Sequence, residues 1–241
     1  MLNLLKAVWQ WIRTHKTISI IILMLLLLLF EYITLPRKSE IQWLSNHNPK
    51  ITTLMEIRKK EAKEKGYNLI IQQKWVSLSQ ISDHLKHAVI VAEDGTFFEH
   101  EGIDWYEVKE SIKKDIKKGK FVRGASTITQ QLAKNLFLST SKDPIRKLKE
   151  FLIAKMLEDE LSKSRILELY LNVIEWGNGI FGAESAAMIY FGKHASELTR
   201  EEASRLAATL PSPLRHQPNS EQRYVKFRRN IILARMEARG W

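Results

Sequence analysis

One stretch limits what this chain can fold into more than any other. Thr17 to Leu35 reads TISIIILMLLLLLFEYITL, and Ile20 to Phe30 contains no polar residue. A helix needs about 20 mostly apolar residues to cross the hydrocarbon core of a bilayer. The run meets that length when Glu31 sits at an interface. The competing reading is a cleaved signal peptide, whose apolar region usually spans about 7–15 residues. No small-x-small cleavage site follows Phe30, where the chain continues EYITLPRKSE, and this favours a retained anchor. Lys6, Arg13 and Lys16 precede the run and Arg37 and Lys38 follow it, so the positive-inside bias puts the N-terminus in the cytoplasm by a narrow margin. Trp9 and Trp11 suit the headgroup level. The expected organisation is a cytoplasmic segment over 1–16 and a transmembrane helix over 17–35. A polar connector or exposed membrane-proximal helix follows over 36–66, and one globular domain over 67–241 lies on the far side.

Charge matters next. The 241 residues carry a formal net charge of +11. Such a balance suits nucleic acid, anionic lipid or a phosphate-bearing substrate, and it equally suits a solvated basic surface. No nucleic-acid motif is present, and the apolar run shifts the expectation toward lipid and phosphate. The sequence has no cysteine, which excludes a disulfide framework and thiolate metal sites.

Beyond the connector the pattern is helical. Tyr67 to Leu78 (YNLIIQQKWVSL) is the only convincing strand-like stretch, being rich in β-branched and aromatic residues. Ser82, Asp104 and Thr127 are placed to cap helices, and Gly119 to end the second of them. Pro144 suits the first turn of another helix. Thr199 with Glu202 forms a capping box. Ser220 to Arg239 reads as a basic amphipathic terminal helix. These features predict a mainly α domain with little sheet.

Three segments hold candidate chemistry. In VAEDGTFFEHEGIDW, Glu93 and Asp94 are adjacent, so on a helix they point about 100° apart and only one of them can face a given cleft. A carboxylate beside a sugar hydroxyl can remove its proton, and Phe97 and Phe98 are placed to exclude water. Alone, such a pair is more often solvated surface, and His100 more often a structural hydrogen-bonder. In RGASTITQQLAKN, Thr127 and Gln130 suit a capping box, while Thr127, Gln131 and Lys134 share a helix face with spacing suited to sugar hydroxyls and a phosphate. In SKDPIRKLKEFLIAKMLEDE, Arg146 and Glu150 lie one turn apart. They form either an ordinary intrahelical pair or a carboxylate that organises a phosphate-binding patch.

Taken in order, these segments stop being independent. Glu93-Asp94-x-x-Phe97-x-x-His100, then Gly124-x-Ser126-Thr127-Ile128-Thr129-Gln130-Gln131-Leu132-x-Lys134-Asn135, then Arg146-Lys147-x-x-Glu150 resemble the signature motifs of peptidoglycan glycosyltransferases, the family 51 glycosyltransferases. Lys163-x-x-Ile166-Leu167-Glu168-x-Tyr170-Leu171-Asn172, Gly179 to Gly192 and Glu202 to Pro213 extend the likeness, which covers about residues 80 to 215. The sequence departs from the family at Lys142, where Arg is frequent, and at Pro144. No length remains after this region for a transpeptidase domain, so the monofunctional branch is the expected one.

The resemblance implies a lysozyme-like helical glycosyltransferase domain with a smaller membrane-facing lobe, behind one N-terminal transmembrane helix. It implies lipid II and the growing glycan strand as substrates and the outer face of the cytoplasmic (inner) membrane as location. Cell-wall synthesis or division proteins are expected as partners and nucleic acid is not. Glu93 is then expected as general base and Glu150 as a second catalytic carboxylate that holds the cationic patch or a bound cation. Asp94, Phe97, His100, Ser126, Thr127, Gln131, Lys134, Asn135, Lys142, Arg146 and Lys147 are expected to bind or orient substrate, with Lys134, Lys142 and Arg146 on the pyrophosphate. No cofactor and no resident metal are expected, beyond stimulation by a divalent cation. Lys109, Lys113, Lys114, Lys117 and Lys118 suit either anionic headgroups or a solvated helix face. Two rivals are a lytic enzyme of similar fold and a non-catalytic scaffold of the wall-building machinery.

Overall fold

A computed structural model describes residues 11, 13–118, 126–141 and 143–241, and it divides into two compact units, Met1–Pro36 and Arg37–Trp241. In the first unit, α1 spans Lys16–Ile33. It contains a window of mean hydropathy 2.6 of which nothing is buried. A helix apolar on every side and covered by no protein is long and apolar enough to cross a membrane. Lys6 and Trp9 lie outside the described residues, as do Gly119, Arg123, Gly124 and Lys142.

The second unit begins earlier than residue 67. Residues 36–66, expected as a polar connector or exposed helix, form α2 (Lys38–Trp43) and α3 (Thr53–Glu64), and these pack into the domain. Ile41, Met55 and Ala62 are buried there, and Arg58 reaches across to Glu175 with two hydrogen bonds of 2.8 and 2.7 Å. Few apolar residues on a charged helix suffice to dock it, so composition concealed the contact.

The remaining helices are α4 (Asp83–Glu93), α5 (Trp105–Lys118), α6 (Ile128–Phe137), α7 (Pro144–Glu160), α8 (Lys163–Val173), α9 (Ala183–Phe191), α10 (Arg200–Thr209) and α11 (Arg223–Glu237). Their starts follow the expected caps. Ser82 accepts from Leu85 N–H, Asp104 from Glu107 N–H, Thr127 from Gln130 N–H and Thr199 from Glu202 N–H. Pro144 opens α7 behind an Asp143 cap. The terminal helix begins at Arg223 rather than Ser220.

Two helical groups build the core. Helices α4, α10 and α11 pack on one another, and α6 packs against both α7 and α8. Their buried faces include Leu85, Ala88, Leu206 and Met236 in the first group, and Ile128, Leu132, Ile153 and Leu169 in the second.

The sheet is smaller than the sequence suggests and its other strands were not foreseen. From Tyr67–Leu78 only Gln72–Gln73 (β1) pairs, parallel to Ile180–Phe181 (β3), which pairs antiparallel with Glu175–Gly177 (β2). Ile70 is 75% exposed, so the β-branched run has no continuous face to bury. Its backbone is tied down by side chains instead: Ser185 Oγ accepts from Lys74 N–H and Asn172 Oδ1 from Val76 N–H.

Candidate active site

The C-terminal end of α4 meets the N-terminal half of α6, and most of the expected site residues gather at this seam. Apolar Leu85, Ala88 and Val89 bury one face of α4 and deliver its last residue, Glu93, to the seam. Asp94 then leaves the helix. Its Oδ2 accepts from the Ile128 N–H at 2.9 Å, the first residue of α6, and its Oδ1 lies 2.9 Å from His100 Nε2. An anionic acceptor at a helix N-terminus satisfies an otherwise unpaired N–H and complements the helix dipole. Thr127 adds a second tie, donating to Gly102 O at 2.6 Å while accepting from Gln130 N–H. Gly102 adopts φ 82, and a Cβ there would press on Ala154 O and Glu158, so glycine lets this loop sit against α7.

Asp94 and Thr127 thus have their polar groups engaged in holding α6 against the loop, and His100 joins them through Nε2 while its Nδ1 is buried without a hydrogen-bond partner among the described residues. Phe97, expected at the substrate, is fully buried beneath the Lys163 ammonium at 4.5 Å from its ring centroid. It packs the loop and has no surface to offer a ligand. Phe98 is exposed.

Glu93 is held differently. Gln131 Nε2 donates to Glu93 Oε2 at 2.8 Å, and Arg228 from α11 stands 3.8 Å from Oε1. The Gln131 carbonyl accepts in turn from the Tyr170 hydroxyl at 3.0 Å. Burial pushes the Glu93 carboxyl up from the usual range, more than the Gln131 hydrogen bond and the Arg228 and Lys134 charges pull it back. Lys134 lies one turn beyond Gln131. Burial, with the Arg146 and Lys147 charges, pushes its ammonium down, opposed by Glu150 and Glu93. Its Nζ makes no hydrogen bond or ion pair among the described residues.

Helix α7 supplies the third part. Arg146 and Lys147 both reach the buried Glu150, at 2.5 Å to Oε2 and 2.5 Å to Oε1. The i,i+4 and i,i+3 spacings bring both cations onto one carboxylate. Lys147 also donates to Ser126 Oγ at 2.9 Å. Asn135 is buried on α6. Lys142, the remaining expected phosphate ligand, lies outside the described residues.

Sequence reasoning missed the contribution of α11. A cavity of about 660 Å³ is lined by Glu93, Asp94, Ser126 and Thr127 on one side and by Arg235 and Arg239 on the other. Arg235 donates to Val91 O at 3.1 Å and Arg239 to Gly95 O at 2.7 Å, so they satisfy carbonyls at the end of α4. Arg228 and Arg235 are spaced seven apart, which places them on one face of α11, and Arg239 follows just past its end. That spacing was the available signal.

The arrangement suits one kind of chemistry. A largely buried carboxylate with a raised proton affinity can accept a proton from a bound hydroxyl. Lys134 of α6, without a partner among the described residues, and the fixed Arg146–Lys147–Glu150 cluster on α7 can hold a phosphate. The cavity has the size of sites that take small-molecule groups.

Residues 63–237 match the family described as Transglycosylase. The chain is 48% identical over 198 residues to the biosynthetic peptidoglycan transglycosylase of Nitrosospira multiformis, covering 82% of this chain and 86% of that one. It is 49% identical over 191 residues to the protein of the same description from Dechloromonas aromatica, covering 79% and 83%. A similarly described protein of Thiobacillus denitrificans is 39% identical over 230 residues, covering 95% of each chain.

Proposed function

The chain belongs to the transglycosylase family, and from that premise we propose that Glu93 is the general base with which it polymerises glycan strands. The protein is a peptidoglycan glycosyltransferase of cell-wall synthesis. It joins the disaccharides of lipid II through β-1,4 links and releases undecaprenyl pyrophosphate.

In the proposed step the acceptor's GlcNAc 4-hydroxyl lies against Glu93, whose carboxylate takes its proton. The freed oxygen pair attacks the anomeric carbon of the donor MurNAc. The bond to the pyrophosphate oxygen breaks, that oxygen keeps the electron pair, and the configuration inverts. Lys134 and Arg146 receive the growing negative charge, and Lys142 is proposed to share it. Glu150 holds Arg146 and Lys147 in place, and Lys147 fixes Ser126. Gln131 and Asn135 orient Glu93 and the bound sugars. A donor that arrives as a pyrophosphate needs no nucleotide or other cofactor. A divalent cation is proposed only as a stimulant. Among the described residues no three Asp, Glu or His side chains converge to hold one, and no step is assigned to it.

One observation carries this reading. Glu93, under-compensated on α4, is 2.8 Å from Gln131 of α6, and Lys134, which has no partner among the described residues, follows Gln131 one turn later on α6. Inversion requires the base and the leaving-group cation to act from opposite sides of the reacting carbon, by analogy with inverting hydrolases, and the proposal assigns those two roles to Glu93 and Lys134. We further propose that α1 anchors the protein in the cytoplasmic membrane with the catalytic unit outside. The anchor would raise the local concentration of two lipid-borne substrates. Wall-synthesis or division proteins are proposed as its protein partners.

The test is purified full-length protein with labelled lipid II. Polymer resolved on a gel supports the reading, and Glu93→Gln should then bind lipid II without polymerising it. Solubilised glycan fragments from preformed strands would instead point to a lytic enzyme.

A further inference from the structure

Tyr170 is fully buried on α8, yet its hydroxyl is the far end of a chain that finishes on Glu93. We propose that Tyr170 is a positioning residue for the general base. It fixes the Gln131 amide so that the NH₂ group, and not the carbonyl, meets the Glu93 carboxylate. The proposal rests on Glu93 being the base.

A glutamine amide is nearly symmetric in shape, so its orientation is decided by what each end meets. At one end Gln131 Oε1 lies 3.0 Å from the Tyr170 hydroxyl. At the other, Nε2 lies 2.8 Å from Glu93 Oε2. While Glu93 is ionised both contacts favour this orientation. Once Glu93 has accepted a proton, its new O–H would favour the flipped amide, with the carbonyl facing the carboxyl. Such a flip would stabilise the protonated form and slow return of the base to its working state. The Tyr170 hydroxyl opposes it by holding the carbonyl on the far side. Burial and the nearby Glu93 and Asp94 charges push the phenol well up, so it remains a donor throughout the working range.

Other charged groups face Glu93 from every side. They are Lys134 on α6, Arg228 on α11 and Asp94 at the end of its own helix. None of them touches the Gln131 amide in the described contacts. The effect of the hydroxyl is therefore separable from theirs.

The experiment compares full-length wild type, Tyr170→Phe, Gln131→Met and the double variant. Two readouts are taken. One is the carboxyl ¹³C titration of Glu93, assigned by its loss in Glu93→Gln. The other is the pH profile of lipid II polymerisation. Tyr170→Phe should move the Glu93 midpoint upward. Rates on the acid limb should fall about threefold to tenfold, while the alkaline plateau changes by less than about twofold. Gln131→Met should also move the midpoint upward, and adding Tyr170→Phe to it should move the midpoint no further. An unmoved midpoint in Tyr170→Phe, or an equal movement in the Gln131→Met background, would overturn the proposal and leave Tyr170 as core packing. If Tyr170→Phe does not fold, an unmoved midpoint in Gln131→Met overturns it alone. A midpoint that moves without the acid limb following supports the positioning of Glu93 and overturns instead its role as base.

Discussion

Glu93 and Glu150 are both withdrawn from solvent, with side chains 12% and 4% exposed, and both face α6. Their surroundings are opposite. Glu150 has a cation 2.5 Å from each oxygen, supplied by its own helix one turn away. Glu93 has a neutral amide on one oxygen and an Arg228 guanidinium no closer than 3.8 Å to the other. A carboxylate clamped by two cations has its value in fixing those cations. A carboxylate buried with partial compensation has its proton affinity raised. One region is built to hold cations in place and the other to take a proton. The same residue type serves both because its neighbours differ.

Removing the two carboxylates tests that contrast most directly. Glu93→Gln should lower turnover about a thousandfold or more, the scale of general-base catalysis, with lipid II binding retained. Polymerisation by this variant at near wild-type rate would remove the assignment. Lys134→Ala and Arg146→Ala come next, each with a turnover loss of about a hundredfold. That loss should fall more on kcat than on KM, because the charge they meet grows in the transition state. A rise in KM alone would make them ground-state ligands. Glu150→Gln should cost turnover about tenfold to a hundredfold through misplaced Arg146 and Lys147. It should also cost about 2 kcal/mol of stability, below the full cost of breaking an enclosed pair because Lys147 is partly in water. Denaturant unfolding checks the second figure.

Deleting residues 1–36 should leave polymerisation in detergent within about twofold and slow it about tenfold on vesicles. The second unit has its own core, so the truncated protein should remain folded. Unchanged vesicle activity would mean that the catalytic unit binds membranes by itself.

The smallest effect has the sharpest sign. Burial raises the folded-state pKa of Glu93 above its unfolded value. The folded protein therefore binds the extra proton, and stability falls as pH rises from the unfolded value, about 4.3, through the folded one. Glu93→Gln should melt above wild type at neutral pH, and the gain should vanish below about pH 4. Glu150→Gln should melt below wild type at neutral pH. Thermal midpoints of the two variants moving in the same direction would erase the distinction between the two sites.

Much of this was legible in one dimension. Helix starts at Ser82, Thr127, Pro144 and Thr199 depend on contacts within a few residues, so local sequence carried them. The Arg146–Glu150 pair was legible for the same reason, and Lys147 joined it at i,i+3. The apolar run of α1 needed no partner to be recognised. Phe97 was misplaced because an aromatic beside acidic residues looks the same from the sequence whether it lines a cleft or packs beneath one. Docking of α2 and α3 was hidden because it uses few apolar residues. The sheet was misjudged because β-propensity gives no information about an available partner edge.

The sequence by itself determined the apolar N-terminal helix, the helical character, the order of the motifs and the residue types the chemistry requires. These follow from spacing along the chain, which no folding alters. Only the tertiary structure decided which carboxylate is clamped and which is left able to take a proton. That difference comes from Gln131 and Arg228, 38 and 135 residues beyond Glu93, and from Tyr170 behind them. Burial and electrostatic compensation depend on distance in space, and only the packing of α4, α6, α8 and α11 brings those groups together.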